Sequence, residues 1–149
     1  MNGEREAPTA DPSARRSRKV VSDYPSSLWL SVPAADRSLG LVRDVTARIG
    51  EEAELPGDRV DDLRLAADEL ASVVIEGARP AANLEVSVGY DDDDLYLRMW
   101  APVSSDGFDP KTPELTKLLL VATVDSFEVG NDGELIVGVL QTRRRPRDD

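Results

Sequence analysis

The stretch DDLRLAADELASVVIEGA, residues 61–78, determines how the rest of the chain is interpreted. Apolar residues recur in it at three- and four-residue steps, the spacing of one buried helix face. The sequence therefore predicts a helix that ends before Arg79-Pro80, because the residue before a proline avoids the helical conformation. Its predicted buried face consists of Leu63, Ala66, Leu70, Val73, Val74 and Gly77.

Glu69 is a charged residue close to the predicted buried side of this helix. It lies one turn before Val73, on a side that should otherwise be core. One interpretation is that its carboxylate takes part in chemistry. The other is structural: the side chain tilts to the helix edge and reaches solvent or an arginine such as Arg64 or Arg98.

Composition excludes several classes of site. The 149 residues suit one domain, and they contain neither cysteine nor histidine. We therefore expect no disulfide, no thiol or imidazole catalyst, no thiolate metal site and no usual zinc ligand. No apolar run is long enough to span a bilayer, and the N-terminus lacks the apolar core of a secretory signal, so a cytoplasmic protein is expected. The net charge of −11 disfavours nucleic acid as a partner and suits a basic protein.

Local patterns divide the chain into three parts. Residues 1–26 are predicted to be a disordered tail, residues 27–142 one folded domain, and residues 143–149 a charged tail. Within the domain the predicted order is strand, helix, helix, strand, strand, helix, strand, strand, with Asp58 and Thr112 as N-caps of the second and third helices. Such an order predicts an α+β sandwich of two layers, with helices on one face of a mixed, mostly antiparallel sheet.

Two short polar runs are predicted to be turns. The four aspartates at 91–94 lack the glycine and the spaced aspartates of a calcium loop, which favours a solvated turn between strands. Asn131–Gly133 is a strong hairpin signal. Basic residues at Arg15–Lys19 and Arg143–Arg147 offer a nucleic-acid contact, which ranks last because the body of the protein is so acidic.

The element order resembles the anti-sigma factor/serine kinase family of the GHKL (Bergerat-type) ATPase fold. In that family a helix of the form LAxxE precedes two strands, and a loop of the form DxGxGFDP follows them. Leu65, Ala66 and Glu69 match the helix, and Gly107 to Pro110 match the end of the loop. The resemblance covers residues 27–142 and implies a nucleotide pocket with Glu69 at the position of the general base.

The same resemblance implies that this pocket is degenerate. Val73 stands where the family has the asparagine that ligates magnesium, and Val103 where it has the aspartate that binds adenine. Ser105 replaces the first loop glycine, although Gly107 is kept, and a second glycine pair expected near residues 113–116 is missing. No cofactor is therefore expected, and ATP with magnesium would bind only if the pocket still functions.

Two functions follow from the resemblance. The first is an anti-sigma factor that sequesters an RNA polymerase sigma factor, with loss of kinase activity. The alternative is an ATP-dependent serine/threonine kinase that phosphorylates an antagonist of the STAS type. A homodimer is implied in both cases. The implied partner-binding residues lie on the first strand and first helix: Trp29, Asp36, Arg37, Arg43 and Asp44. For Trp29, an interface and core packing stay open as alternatives.

Overall fold

The computed structural model describes residues 28–105 and 111–145. Along these residues the elements are β1 (Leu28–Pro33), a 3₁₀ turn (Asp36–Ser38), α1 (Leu39–Glu52), α2 (Gly57–Gly77), β2 (Asn83–Tyr90), β3 (Asp94–Pro102), α3 (Glu114–Thr123), β4 (Ser126–Asn131) and β5 (Leu135–Arg143). None of the helices in this part of the chain has the length and apolarity needed to cross a bilayer.

The strands form one sheet in the order β1-β2-β3-β5-β4, with the helices on one of its faces. The α+β fold of two layers predicted from the sequence is confirmed. Every strand pair in the described residues is antiparallel, so the parallel pairing that the prediction allowed does not occur there. The last strand, β5, lies between β3 and β4 and is bonded on both sides.

Helix α2 is the centre of the core, as its pattern predicts. The six residues of its predicted apolar face are all buried, Leu70 and Val74 completely. These two side chains pack onto Gly138 of β5 so closely that a Cβ there would lie 2.8 Å from Leu70 Cδ1 and 3.2 Å from Val74 Cγ2. A glycine at this position is therefore what lets the helix approach the sheet.

Both predicted turns are confirmed. In the turn between β2 and β3, Asp91 Oδ1 accepts hydrogen bonds from the backbone N–H groups of Asp93 and Asp94, at 2.9 and 2.8 Å. The turn between β4 and β5 uses Gly133 at a φ of +99°, a conformation that glycine adopts without strain. The Asn131 side chain accepts the Gly133 N–H at 2.7 Å.

The two predicted N-caps are wrong by one or two residues, since a proline takes the cap position in each case. Pro56 precedes α2 and Pro113 precedes α3, both with extended backbone, and their carbonyls accept the first helical hydrogen bonds. Asp58 therefore lies in the first turn of α2, where its charge still favours the helix dipole. Thr112 lies outside α3.

The folded part of the chain extends past the predicted boundary at residue 142. Strand β5 includes Arg143, and Arg144 donates from Nε to the Ala53 carbonyl at 2.8 Å and from Nη1 to the Asp91 carbonyl at 2.5 Å. Its guanidinium also lies 4.8 Å from the centre of the Tyr90 ring. Arg144 thus holds the loop after α1 and the turn after β2 together.

Candidate functional site

Glu69 is half-buried on α2 and faces α3. Its Oε2 accepts a hydrogen bond from the Thr116 hydroxyl at 3.0 Å, and Thr116 is itself buried. Arg98 is excluded as its partner, because Arg98 points to the opposite face of the sheet. Among the described residues Arg64 makes no salt bridge, and its Nε is buried without an acceptor. Glu69 therefore joins two helices through a hydroxyl rather than an arginine.

Two of the predicted pocket positions, Val73 and Val103, are apolar and buried. Val73, one turn further along α2, is 7 % exposed, and Val103 is 2 % exposed. Val103 forms a bridge with Ala78, and the next residue donates its N–H to the Gly77 carbonyl at 2.9 Å. The chain after β3 is thereby fixed to the C-terminal end of α2.

The structure brings some of the predicted pocket positions into one row. Glu69, Val73 and Gly77 follow one another along α2, a span of about 12 Å from the first to the last, and Val103 and Ser104 contact its far end. Ser105 is exposed at the limit of the described residues, whereas Gly107 and the Phe108–Pro110 motif lie outside them. Thr116 belongs to this row and was missed by sequence reasoning, because its contact with Glu69 spans 47 residues of the chain.

The helical layer is strongly acidic. Residues 39–77 carry ten carboxylates and four arginines, a net of −6, which is more than half the charge of the protein. Arg43 of α1 and Asp68 of α2 pair across the two helices at 3.3 Å. Most of the remaining carboxylates are exposed, including Asp58, Asp61 and Glu76. This layer presents a field that attracts a basic partner.

The exposed side of α1 carries part of the predicted partner-binding set. Asp44 and Leu41 lie on it, with Leu41 53 % exposed, and Arg37 is exposed in the 3₁₀ turn that precedes α1. Asp36 is also exposed in the preceding 3₁₀ turn. Arg43 was expected to be an exposed charge, but its side chain is half-buried and forms a salt bridge with Asp68. Sequence reasoning missed Leu41, although its absence from the apolar stripe of Val42 and Ile49 was a usable signal.

Trp29 lies on the other side of the molecule, on the sheet face that no helix covers in the described residues. It is 49 % exposed, so core packing is excluded as its main role. Its indole N–H donates to Glu85 Oε2 at 3.2 Å, and its ring lies 6.3 Å from that of the buried Trp100. On the same face, burial lowers the pKa of the Arg98 guanidinium, while the nearby Glu128 carboxylate acts in the opposite direction. We call the surface made by Trp29, Glu85, Arg98, Trp100 and Glu128 the outer sheet face.

No group of three or more histidine, cysteine, aspartate or glutamate side chains in residues 28–105 and 111–145 is arranged to hold a metal ion. The aspartates at 91–94 use one side chain to cap their own turn.

Comparison with known proteins identifies relatives. The chain is 31% identical over 123 residues to the anti-sigma-F factor RsbW of Mycobacterium tuberculosis, in both strain CDC 1551/Oshkosh and strain H37Rv. The match covers 78% of this chain and 72% of each relative. No family model matches the chain.

Proposed function

Because the chain belongs to the family of the anti-sigma-F factor RsbW, we propose that it is an anti-sigma factor that binds an RNA polymerase sigma factor and keeps it from the polymerase. The observation that carries this proposal is the match itself, which covers 78% of this chain at 31% identity. The fold is the one that the family resemblance implies. The proposed activity is therefore protein binding, and it depends on the residues at the surface of the domain.

The surface that fits a sigma factor best is the helical layer. A sigma factor is a nucleic-acid-binding protein and carries basic regions, which the net charge of −6 on residues 39–77 complements. Leu41 provides an apolar contact between Arg37 and Asp44, and a buried apolar anchor with a charged rim is the usual anatomy of a stable interface. We place the sigma factor on α1 and the adjoining part of α2.

The direct test is a binding measurement with purified components. Each sigma factor encoded in the same genome is immobilised and titrated with the full-length chain, with and without magnesium-ATP. We expect one sigma factor to bind equally under both conditions. Leu41→Asp should weaken binding by roughly tenfold or more, and Asp44→Arg should slow association at low salt. Asp92→Arg, at an exposed carboxylate in the turn between β2 and β3, is the matched control for a changed charge. Absence of binding to every sigma factor would refute the proposal.

We further propose that magnesium-ATP binds weakly or not at all. The residues present do not fit the ligand. Val73 offers no oxygen to a metal, and Val103 offers no hydrogen bond to a base. The Glu69 carboxylate is engaged by Thr116, so α3 lies against the row of residues that would face the phosphates. Isothermal titration with magnesium-ATP should give no measurable heat at micromolar protein concentrations.

The alternative is a serine/threonine kinase acting on a STAS-type antagonist, and retention of Glu69 is the observation in its favour. Transfer of labelled phosphate from ATP to STAS-domain proteins of the same genome distinguishes the two functions. Transfer that Glu69→Ala abolishes would establish the kinase. Competition for the sigma factor without transfer would instead indicate an antagonist that acts by binding.

We also propose a homodimer that uses the outer sheet face. Trp29 is half-exposed beside the buried Trp100, and Arg98 and Glu128 supply opposite charges that two identical surfaces could pair across a two-fold axis. Sedimentation equilibrium should show a dimer that Trp29→Lys dissociates, whereas Asp44→Arg on α1 should leave it intact. A monomer in the unmodified chain would exclude this interface.

A further inference from the structure

The indole of Trp100 is buried on a side of the sheet where the described residues provide no helix. Trp100 is 3 % exposed, and Leu135 is 8 % exposed. Trp100 is paired with Val137 on β5, and Leu135 lies two residues before Val137, so all three point to the outer side of the sheet. The helices cannot bury them, because successive residues of a strand point to opposite faces and the helices pack on the other one. A cover on the outer side is therefore needed to bury Trp100.

The described neighbours of Trp100 cover it only in part. The Trp29 ring is tilted by 30° and its centre lies 6.3 Å away, a separation at which two rings overlap incompletely. Trp29 is itself 49 % exposed, and Val137 is partly exposed as well. These exposed fractions are those of an isolated chain, so a second copy does not contribute to the burial. The rest of the cover therefore comes from the same chain.

Residues 1–27 suit this face best among the segments outside the described residues. Residues 106–110 connect Ser104, which is bonded to the end of α2, with α3, so both of their ends lie in the helical layer. Residues 146–149 contain no large apolar side chain. Residues 1–27, by contrast, lead directly into β1, the edge strand that carries Trp29.

The last part of this segment has the composition and the length to cover Trp100. Its large apolar side chains after Met1 are Val20, Val21 and Tyr24, and all of them lie within eight residues of β1. Eight extended residues span at most about 26–29 Å. The five-stranded sheet is about 19 Å across, at about 4.8 Å for each of its strand spacings. Residues 20–27 are therefore long enough to cross the whole outer side of the sheet.

We infer that residues 20–27 lie across the outer sheet face and bury Trp100 with their apolar side chains. Composition alone predicts a disordered tail over residues 1–26, and the inference limits that prediction to residues 1–19. The occupant of this face is thus a segment of the same chain, and the site is separate from the acidic surface that we assign to the sigma factor.

The segment and the proposed homodimer use the same surface. A second copy of the chain can bind to the outer sheet face only after residues 20–27 have left it, so the segment limits association of the domain. This consequence rests on the proposed homodimer, whereas the docking of the segment does not.

Intrinsic fluorescence tests the inference, because both tryptophans of the chain lie on the outer sheet face. The unmodified chain is compared with a chain that lacks residues 2–26, at a concentration where both are monomeric. Removal of the segment should shift the emission to longer wavelength and increase quenching by acrylamide, since the indole of Trp100 then meets water. A chain that lacks residues 2–14 is the matched control and should equal the unmodified chain in both measurements.

Two further measurements separate uncovering of the face from loss of the fold. The full-length chain with Val20→Ser, Val21→Ser and Tyr24→Ser should show the same changes in fluorescence, while its far-UV circular dichroism stays that of the unmodified chain. A synthetic peptide of residues 15–27, added to the shortened chain, should reverse the changes, whereas the same peptide with the three serines should not.

Emission and quenching that stay unchanged when residues 2–26 are removed would overturn the inference. A change that the three serine substitutions do not reproduce would do the same, as would burial of the tryptophans that grows with protein concentration, since a second copy would then be the cover. Sedimentation equilibrium on the same chains tests the competition, and the shortened chain should dimerise at lower concentration than the unmodified chain. Monomers in both cases would refute the proposed homodimer and not the docking of the segment.

Discussion

The hydrogen bond between Thr116 and Glu69 predicts that this carboxylate stabilises the fold. Its donor is buried, its acceptor is charged and half-buried, and the distance is 3.0 Å. Hydrogen bonds to charged groups contribute about 1.5–3 kcal/mol, and partial exposure of Glu69 places the expected value near the lower end. We therefore expect Glu69→Ala and Thr116→Val each to lower the free energy of unfolding by about 1–2 kcal/mol.

A double-mutant cycle measured by urea denaturation tests the contact itself. The double variant should be less destabilised than the sum of the single variants, with a coupling free energy of about 1 kcal/mol or more. Glu69→Gln should cost less than Glu69→Ala, since the amide oxygen still accepts the hydroxyl proton. Glu76→Ala, an exposed carboxylate on the same helix, is the control and should change stability by less than about 0.5 kcal/mol. Coupling near zero would refute the structural role of Glu69.

Three further outcomes are expected. Val73→Asn places an amide at a position that is 7 % exposed, so it should lower the free energy of unfolding by about 1–3 kcal/mol without restoring ATP binding, as calorimetry with ATP would show. Gly138→Ala forces a Cβ to within 2.8 Å of Leu70 Cδ1 and should cost about 1–3 kcal/mol by thermal melting, whereas Gly130→Ala, with open space around it, should not. Arg144→Ala removes two hydrogen bonds to backbone carbonyls and should cost about 1–3 kcal/mol in urea denaturation; Arg145→Ala, at an exposed position, is its control.

The elements of the fold were predictable because their patterns are local. The buried face of α2 follows from its own periodicity, and Gly133 and Asp91 specify their turns from within four residues. The N-caps were mispredicted for a local reason as well. Aspartate and threonine are favoured caps, but a preceding proline with extended backbone can start a helix without a side-chain hydrogen bond.

The contacts of the candidate site were not predictable, since they join distant parts of the chain. The structural interpretation of Glu69 expected its carboxylate to reach solvent or an arginine, whereas the structure supplies Thr116 from α3. Trp29 and Trp100 lie on different strands, and only the pairing of those strands in the sheet shows that both are on the side without helices. The exposed Leu118 is a second example. The sequence shows that residues 118–121 are apolar, but only the packing of α3 in the structure shows that Leu118 remains exposed.

The position of β5 has a consequence for how the protein is made. This strand is translated after the other four, yet it lies inside the sheet, where it pairs with β3 along nine residues and provides the only partner of β4 in the described sheet. A nascent chain that ends before Leu135 therefore presents an open β3 edge and an unpaired β4, both able to pair with other chains. The five-stranded sheet is complete only after residues 135–143 leave the ribosome. Stalled or truncated products should therefore be prone to aggregation rather than partly active.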